Sequence, residues 1–525
     1  MEAKKDWLSG VLKVLLCTSF VYLWVMVLVY VKKSYCGIPG AAVFLIAALL
    51  DGILVWCIWK KKKAKSDKLA NIKKENICLL CASFVLLVIQ FVVIWNAVFR
   101  TAWDPGAVWY GAHFVELGDL DGINSMAYYF SVYPNNLLLV WIYSVVLKLN
   151  DVIGAPIANG TMLLALFQCV FVTGAGACLY KTVRHFADQK IAWIAYGFYF
   201  ILGGLSAWIM IPYSDSTGII FPIFLFYLSV KIKETESVKK RCMLLFFLFF
   251  FCYIGFEIKP MAAIVVIAIV AVEGIHFAGR LLKKQSVWKK SLLAYCLAAV
   301  LGLGAAAGGV SAVVGSMHFP VVTDTVLGWQ HHMMLGLNKD TNGGYSQADF
   351  DYSTSFSSAE EQHAAELKEI GKRLKDFGVG GYLQHFVKKS ARNYFDGCFG
   401  WGGLGENFYT EIFPERGTVL CSLIRSLYYD NTEDTLYRYQ ALFRQILWYM
   451  VLVLVPFSVF TKRPLDKKRQ VAVLSVLGLM LYLQIFEAHA RYLYTFVPIF
   501  VFLATEGIDN LREYLNQKSE RRVKK

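Results

Sequence analysis

The sequence predicts an all-α polytopic membrane protein. It should have about twelve transmembrane helices, one partial or re-entrant element, and a mainly helical extracytoplasmic insert. Three observations predict this. Of 525 residues, 57% are hydrophobic and only 17% charged, too apolar for a soluble chain of this length. Apolar runs recur at or near the length that crosses hydrocarbon as a helix. The excess of Lys and Arg, a net charge of +15, clusters in short loops between those runs, which is the positive-inside pattern. That clustering accounts for the charge without a polyanion, so no nucleic-acid partner is expected.

Residues 1–75 hold two helices, about 10–31 and 38–59, and a basic loop. The loop is Lys60-Lys-Lys-Lys-Ala-Lys65, followed by Lys68, Lys73 and Lys74. The first run has no clear cleavage site and reads as a retained helix rather than a removed signal. The loop assigns the N-terminus to the cytoplasm. Residues 100–136, beyond a third helix at 76–99, then form the first outer loop. The next apolar piece, 137–149, is short and is followed by a run at 155–180. If both crossed, Lys181, Arg184, His185 and Lys190 would fall outside. If 137–149 is re-entrant or interfacial, every later basic segment faces the cytoplasm: Lys231–Arg241, Arg280–Lys290, Lys462–Arg469 and the tail Arg521–Lys525.

The core at 76–314 continues with spans near 191–211, 217–231, 243–257, 260–279 and 291–314. Residues 315–442 form the insert. Ser358-x-x-Glu361 is a capping box, and Leu367, Ile370, Leu374 and Phe377 follow at helical spacing. Tyr382, Leu383, Phe386, Val387 and Tyr394 make a second amphipathic piece. Spans near 443–460, 471–486 and 491–506 close the membrane part, and 507–525 is a basic cytoplasmic tail. No internal repeat is evident, whereas inverted repeats would favour a secondary transporter.

Several motifs lead to no chemistry. Most of the twelve cysteines lie inside apolar runs (Cys17, Cys57, Cys169, Cys178, Cys252), without zinc spacing. Cys78 and Cys81 sit in a spanning helix as small apolar residues. Pairing of Cys398 with Cys421 is left open. His331-His332 has no further metal ligand at a telling spacing. The glycine-rich run 400–405 lacks the Lys-Ser/Thr and preceding strand of a phosphate loop, and reads as a flexible loop near an acceptor. Asn159-Gly-Thr161 matches a glycosylation sequon but opens an apolar run.

The stretch that carries chemistry is Arg100-Thr-Ala-Trp-Asp-Pro-Gly-Ala-Val-Trp109. Asp104 is the first carboxylate after the third span, set between Trp103 and the turn-forming Pro105-Gly106. It suits a catalytic base and equally a turn or cap residue. The same boundary collects Glu116, Asp119 and Asp121, then Asp215, Glu257 and Lys259, then Glu487, His489 and Arg491. Ionisable groups gathered at helix ends on one face line a site or snorkel to the surface. The set fits transfer of a sugar from a lipid phosphate. An acceptor hydroxyl needs a carboxylate base, and a departing phosphate needs cations. Trp103, Trp109, Trp401, Tyr345 and Asp215 could contact sugar or acceptor. Asp215 could also cap the helix that follows it.

Five short segments, in this order and on this one side, resemble the GT-C superfamily of integral-membrane glycosyltransferases. The similar branches are the protein O-mannosyltransferases, the aminoarabinose transferases and Rgt-like bacterial enzymes. The segments are Trp103-Asp104-Pro105, Tyr133-Pro134-Asn135-Asn136, Ile211-Pro-Tyr-Ser-Asp215, Phe256-Glu-Ile-Lys-Pro260 and Glu487-Ala-His-Ala-Arg-Tyr492, within residues 76–506. The resemblance implies an inverting enzyme that uses a polyprenyl-phosphate sugar donor. Its acceptor would be an envelope glycan, lipid or protein. Asp104 would be the base, with Lys259 and Arg491 on the donor phosphate. No cofactor is indicated, with a divalent metal left open. Two departures stand out. Several branches carry two adjacent acidic residues where Pro105 follows Asp104, so Glu116, Asp119 or Asp121 could share or take the role. The spans at 10–59 precede the shared core. A flippase for a lipid-linked precursor is the competing reading, and an assembly scaffold a third. A transporter should place ionisable groups at the midplane of matched halves.

Overall fold

The computed structural model describes residues 6–60, 68–154, 160–283, 290–401, 411–429 and 436–523. The chain is an all-α polytopic membrane protein. Three helices lead: α1 (Trp7–Tyr30), α2 (Gly40–Lys60) and α3 (Lys68–Ala97). Four shorter ones follow: α4 (Trp103–Leu117), α5 (Leu120–Ser125), α6 (Ala127–Val132) and α7 (Leu137–Ile153). The core continues through α8 (Gly160–Phe186), α9 (Gln189–Tyr199), α10 (Ser214–Gly218) and α11 (Ile220–Glu234). Then come α12 (Val238–Ile258), α13 (Ala263–Leu282) and α14 (Lys290–Gly315). The insert contributes α15 (Trp329–Gly336), α16 (Gln347–Thr354), α17 (Ala359–Tyr394) and α18 (Val419–Tyr428). The chain returns through α19 (Tyr437–Leu454), α20 (Lys467–Ile485), α21 (Arg491–Tyr494) and α22 (Val497–Val523). The only strand pairing among the described residues is two residues long, Phe99–Arg100 against Glu411–Ile412.

Among the described residues, eleven helices are long and apolar enough to cross a membrane. Bare apolar side chains such as Leu45, Leu49 and Ile53 on α2 make a surface suited to hydrocarbon, not water. Polar contacts fix the direction of several of these helices. At one end, Lys13 of α1 donates to the carbonyls of Thr461 and Arg463, Arg184 of α8 bonds Glu75 of α3, and Arg512 of α22 bonds Asp188 ahead of α9. Lys467 of α20 meets Glu273 of α13 there, and His185 meets Glu234 of α11. At the other end, Tyr35 after α1 bonds Asp396, and Arg425 donates to the Asn96 carbonyl near the end of α3.

These anchors leave α7 as the exception. Asn136, at its start, bonds Tyr129 beside Asp104. Near its far end, Leu147 abuts Gly160, where a Cβ would lie 3.1 Å from Leu147 Cδ2. Gly160 opens α8, whose other end is the Arg184–Glu75 contact. The contacts of Asn136 and Leu147 therefore lie at the same end of the bundle, the arrangement expected of a partial element. The helix α9, extended by π and 3-10 turns to Met210, crosses the bundle, and so does α22. The expected count is about twelve full spans; by length and composition the described residues supply eleven helices able to cross, α7 with its preceding turn among them. The last span runs on as a helix to Val523, well past the expected limit at 506.

The insert packs on the end that holds Asp104. Val322 N donates to Ser131 Oγ, Leu327 N to the Val132 carbonyl, and Phe319 lies against Phe130 with ring centroids 4.6 Å apart. The two amphipathic pieces expected in the insert form one long element, broken at Gly378, whose φ of +55° favours glycine. Cys398 and Cys421 are free, separately buried thiols. The expectations for Lys61–Lys65, Asn159, most of the glycine-rich run and the last two residues of the basic tail lie outside the described residues.

Candidate active site

Trp103 opens α4 with φ of +48°, a left-handed conformation that is costly for a bulky residue, about 1–3 kcal/mol. The surroundings hold it there. Its ring lies 4.7 Å from the Arg491 guanidinium and edge-on to Tyr213 at 5.9 Å. The strained entry sets Asp104 in the first turn of α4, facing two phenols. Tyr129 donates to Asp104 Oδ1 at 2.9 Å, and Tyr213 donates to Oδ2 at 3.2 Å. Asn136 Nδ2 in turn donates to the Tyr129 oxygen at 2.8 Å. Among the hydrogen bonds and ion pairs of the described residues, only these neutral donors reach the Asp104 carboxylate.

Tyr213 is shared between Asp104 and a cationic cluster. Its hydroxyl bonds Asp104, while its ring lies 5.9 Å from both Lys259 Nζ and the Arg491 guanidinium carbon. Lys259 follows α12, where the helix stops ahead of Pro260, and Arg491 opens α21. Between them sits Asp215, 1% exposed in the first turn of α10. Lys259 Nζ is 2.6 Å from Asp215 Oδ1, and Arg491 Nε is 3.6 Å from Oδ2. The second distance is an ion pair rather than a hydrogen bond. Arg491 Nε and Nη1 are buried and have no hydrogen-bond partner among the described residues. Its ring neighbours, Trp103, Trp208, Tyr213 and Tyr492, cradle the charge without using those donors.

The structure thus joins four of the residues singled out in the sequence, Asp104, Asp215, Lys259 and Arg491, with Trp103 beside them. Asp215 stands between the two cations, so its buried carboxylate faces Lys259 and Arg491. Tyr345 is half-exposed on the insert and donates to Gln347 Oε1 at 2.7 Å. A few residues on, Phe350 stacks on Tyr133 at 6.4 Å, and Tyr133 adjoins Tyr129, which brings the insert to the Asp104 shell.

Other expected residues are elsewhere. Glu116 is twelve residues along α4 from Asp104, about 18 Å at 1.5 Å per residue, and pairs with His113 at 2.8 Å. Asp119 caps α5 by accepting from Gly122 N at 3.0 Å, and Asp121 is exposed in the next turn. None of the three reaches Asp104, because α4 leads the chain away from it. Trp109 lies under the Arg100 guanidinium at 4.4 Å and stacks on His113, away from the carboxylate. Trp401 is 1% exposed, wedged against Phe99 and Trp208, with its indole N–H on the Tyr428 carbonyl. It is a core residue with no face free for a sugar.

Sequence reasoning gave no role to Tyr129, Asn136 and Tyr213, although Asn136 and Tyr213 lay inside the quoted motifs. Glu487 also gains a setting: it accepts from Tyr492 at 2.9 Å and lies 4.0 Å from His332 Nδ1 of the insert. His331 is instead buried on Ser353 at 2.7 Å. Burial in the insert pushes the His331 imidazole down to about 3, so it is neutral there. No group of three or more His, Cys, Asp or Glu among the described residues is placed to hold a metal ion.

A family model described as "Conserved hypothetical integral membrane protein" matches residues 1–510. The chain belongs to this family. No curated protein matches this family member. Among solved structures it is similar to the archaeal oligosaccharyltransferase AglB from Archaeoglobus fulgidus, seen with an inhibitory peptide and a dolichol-phosphate. The identity is 11% and the TM-score 0.38, with 83% of this chain and 52% of that chain covered. This integral membrane protein therefore spans about half the length of that enzyme.

Proposed function

We propose that this protein is a glycosyltransferase. It moves a sugar from a polyprenyl-phosphate donor to an envelope glycan, lipid or protein, at the extracytoplasmic end of the bundle. One observation carries the reading. A carboxylate contacted by neutral phenols and a cluster of buried cations flank the same tyrosine, Tyr213. The orientation follows from charge: the opposite end collects Lys13, Lys181, Arg184, Lys231, Lys467 and Arg469, as a cytoplasmic face does.

In the proposed reaction the acceptor hydroxyl attacks the anomeric carbon and Asp104 takes its proton. The bond from that carbon to the phosphate oxygen breaks, with inversion, and its electron pair leaves on the polyprenyl phosphate. The donor phosphodiester carries one negative charge and the departing monoester approaches two. Lys259 and Arg491 less Asp215 leave one net positive charge, which matches the donor. The unused N–H groups of Arg491 can strengthen their hold as the second charge develops. Tyr345 and the Tyr133–Phe350 pair stand where the acceptor would enter from the insert. No cofactor enters the proposed scheme.

The test is transfer by the purified protein in nanodiscs, with a radiolabelled polyprenyl-phosphate sugar and envelope extract as acceptor. Asp104→Asn should lower the rate about 10²- to 10⁴-fold while donor binding persists. An undiminished rate removes Asp104 as the base. The transport reading keeps one supporting observation. Asp51, midway along α2, is buried with neither carboxylate oxygen hydrogen-bonded among the described residues, a setting found in ion and proton pathways. Movement of intact donor across a vesicle membrane without sugar transfer would favour that reading.

A further inference from the structure

We infer that Lys389 of the insert is a positioning residue for Arg491, so that the insert sets the geometry of the phosphate site. This rests on the phosphate role proposed above for Arg491. Lys389 lies in the second half of α17 and is 1% exposed. Its ammonium donates to three carbonyls: Gly336 at 2.9 Å, Gln484 at 2.9 Å and Phe486 at 2.8 Å. A neutral amine has only two N–H groups, so this arrangement uses the full complement of the charged form. The acceptors are not arbitrary. Gly336 ends α15, while Gln484 and Phe486 belong to the end of α20. Helix C-termini leave carbonyls without intrahelical partners and carry partial negative charge. One cation thus closes two helix ends and ties them together.

The neighbouring contacts make a clamp. Ala488 N donates to the Gly343 carbonyl at 2.7 Å, and Arg392 Nε donates to the Ala488 carbonyl at 3.2 Å. Arg392 Nη1 reaches the Thr341 carbonyl at 3.0 Å. Packing leaves no slack. A Cβ on Gly336 would lie 2.5 Å from the Ile485 carbonyl oxygen, and one on Gly343 would lie 2.8 Å from Lys389 Cε. The segment 484–488 is therefore held from the insert side at several backbone atoms. It leads within three residues to Arg491, whose own N–H donates to His489 Nδ1 at 3.2 Å. The same segment carries Glu487, which faces His332 of the insert. An acceptor that shifts the insert would shift the clamp, and with it the cation on the donor phosphate.

The experiment uses the full chain in nanodiscs and two substitutions that spare the site itself. Lys389→Met keeps the buried methylene chain and removes the donors. Arg392→Met is milder, because Arg392 is more exposed than Lys389. Hydrogen exchange across 484–491 should quicken about tenfold or more in Lys389→Met, and less in Arg392→Met, with the other spans unchanged. Donor kcat/KM should fall on the order of a hundredfold in Lys389→Met, the scale of a displacement near 1 Å. In an Arg491→Ala background the same change should cost less than about threefold, because its target is already gone. Full multiplication of the two losses would overturn the positioning role and leave Lys389 as a general stabiliser. Unchanged exchange at 484–491 in both variants would overturn the clamp itself. A wild-type protein that transfers no sugar from polyprenyl phosphates would refute the proposed function and the phosphate half of this inference. The exchange measurement would then decide the clamp alone.

Discussion

Replacing Asp215 with Asn removes the single carboxylate that stands between Lys259 and Arg491. The two cations are 2.6 and 3.6 Å from its two oxygens, so they are at most about 8 Å apart. Their bare repulsion at that distance is about 2 kcal/mol at an effective dielectric of ~20. The lost attraction adds to this, because removing one member of a buried ionic group typically costs about 3–5 kcal/mol. All three groups are under a tenth exposed, so solvent screening relieves little. The variant should therefore melt several degrees below the wild type in detergent. A polyprenyl phosphate offers the missing anion. Its Kd for the variant should be at least about tenfold tighter, worth about 1.4 kcal/mol, so the ligand should raise the variant's melting temperature more than the wild type's. Differential scanning with polyprenyl phosphate, and with polyprenol as the uncharged control, reads both effects. Equal ligand-induced shifts in the two proteins would refute phosphate binding by the pair. An unchanged melting temperature without ligand would refute the ionic cluster.

Two further outcomes follow from the same structure. In the insert, burial pushes the Asp349 carboxyl up, but the paired hydrogen bonds from Arg373 at 2.7 and 2.9 Å, and one from Asn338, outweigh this and hold it below its usual range. A depressed value stabilises the fold above the unfolded value of about 3.9 and loses that contribution as pH falls through the folded one. The segment 337–377 should thus become pepsin-sensitive only below about pH 4. Asp349→Asn should be sensitive at higher pH, with a flatter dependence, and a variant that keeps the wild-type profile would refute the assignment. For topology, epitope tags inserted after Gly118 and after Gly154 should be reached from the same side of the membrane. Access from opposite sides would mean that α7 crosses.

The membrane architecture was legible because hydrocarbon imposes a length and loop charge imposes a direction. Those two rules also pointed to 137–153, where the parity of Lys181 and Arg184 favours a segment that does not cross, and α7 has its contacts near one end of the bundle. Ends were less legible. The helix from Val497 continues to Val523 because nothing in a polar helical segment marks where lipid stops. In the site, the carriers of charge were legible as residue types stranded at helix ends: Asp104 at a turn, Lys259 before a proline, Arg491 after a span. Side-chain direction was not. Trp401 and Trp109 were indistinguishable in sequence from ring platforms, yet one is core and the other serves Arg100. Glu116 is close to Asp104 in sequence, but the regular geometry of α4 carries it about 18 Å off.

What decides the roles of the two central carboxylates is the company each keeps. Asp215 faces two cations, and its charge is consumed in balancing them. In the proposed reaction Asp215 is therefore the counter-ion of the two cations and not the base. Asp104 is contacted by phenols, which orient its lone pairs without a full opposing charge. In the proposed reaction it accepts a proton with the loss of two neutral hydrogen bonds, each worth about 1 kcal/mol, and of a longer-range attraction to Lys259 and Arg491. The same tyrosine that orients Asp104 borders both cations, so proton acceptance and phosphate departure would take place around one fixed ring. That proposed division of labour between like side chains rests on environment, and no residue-level motif could have announced it.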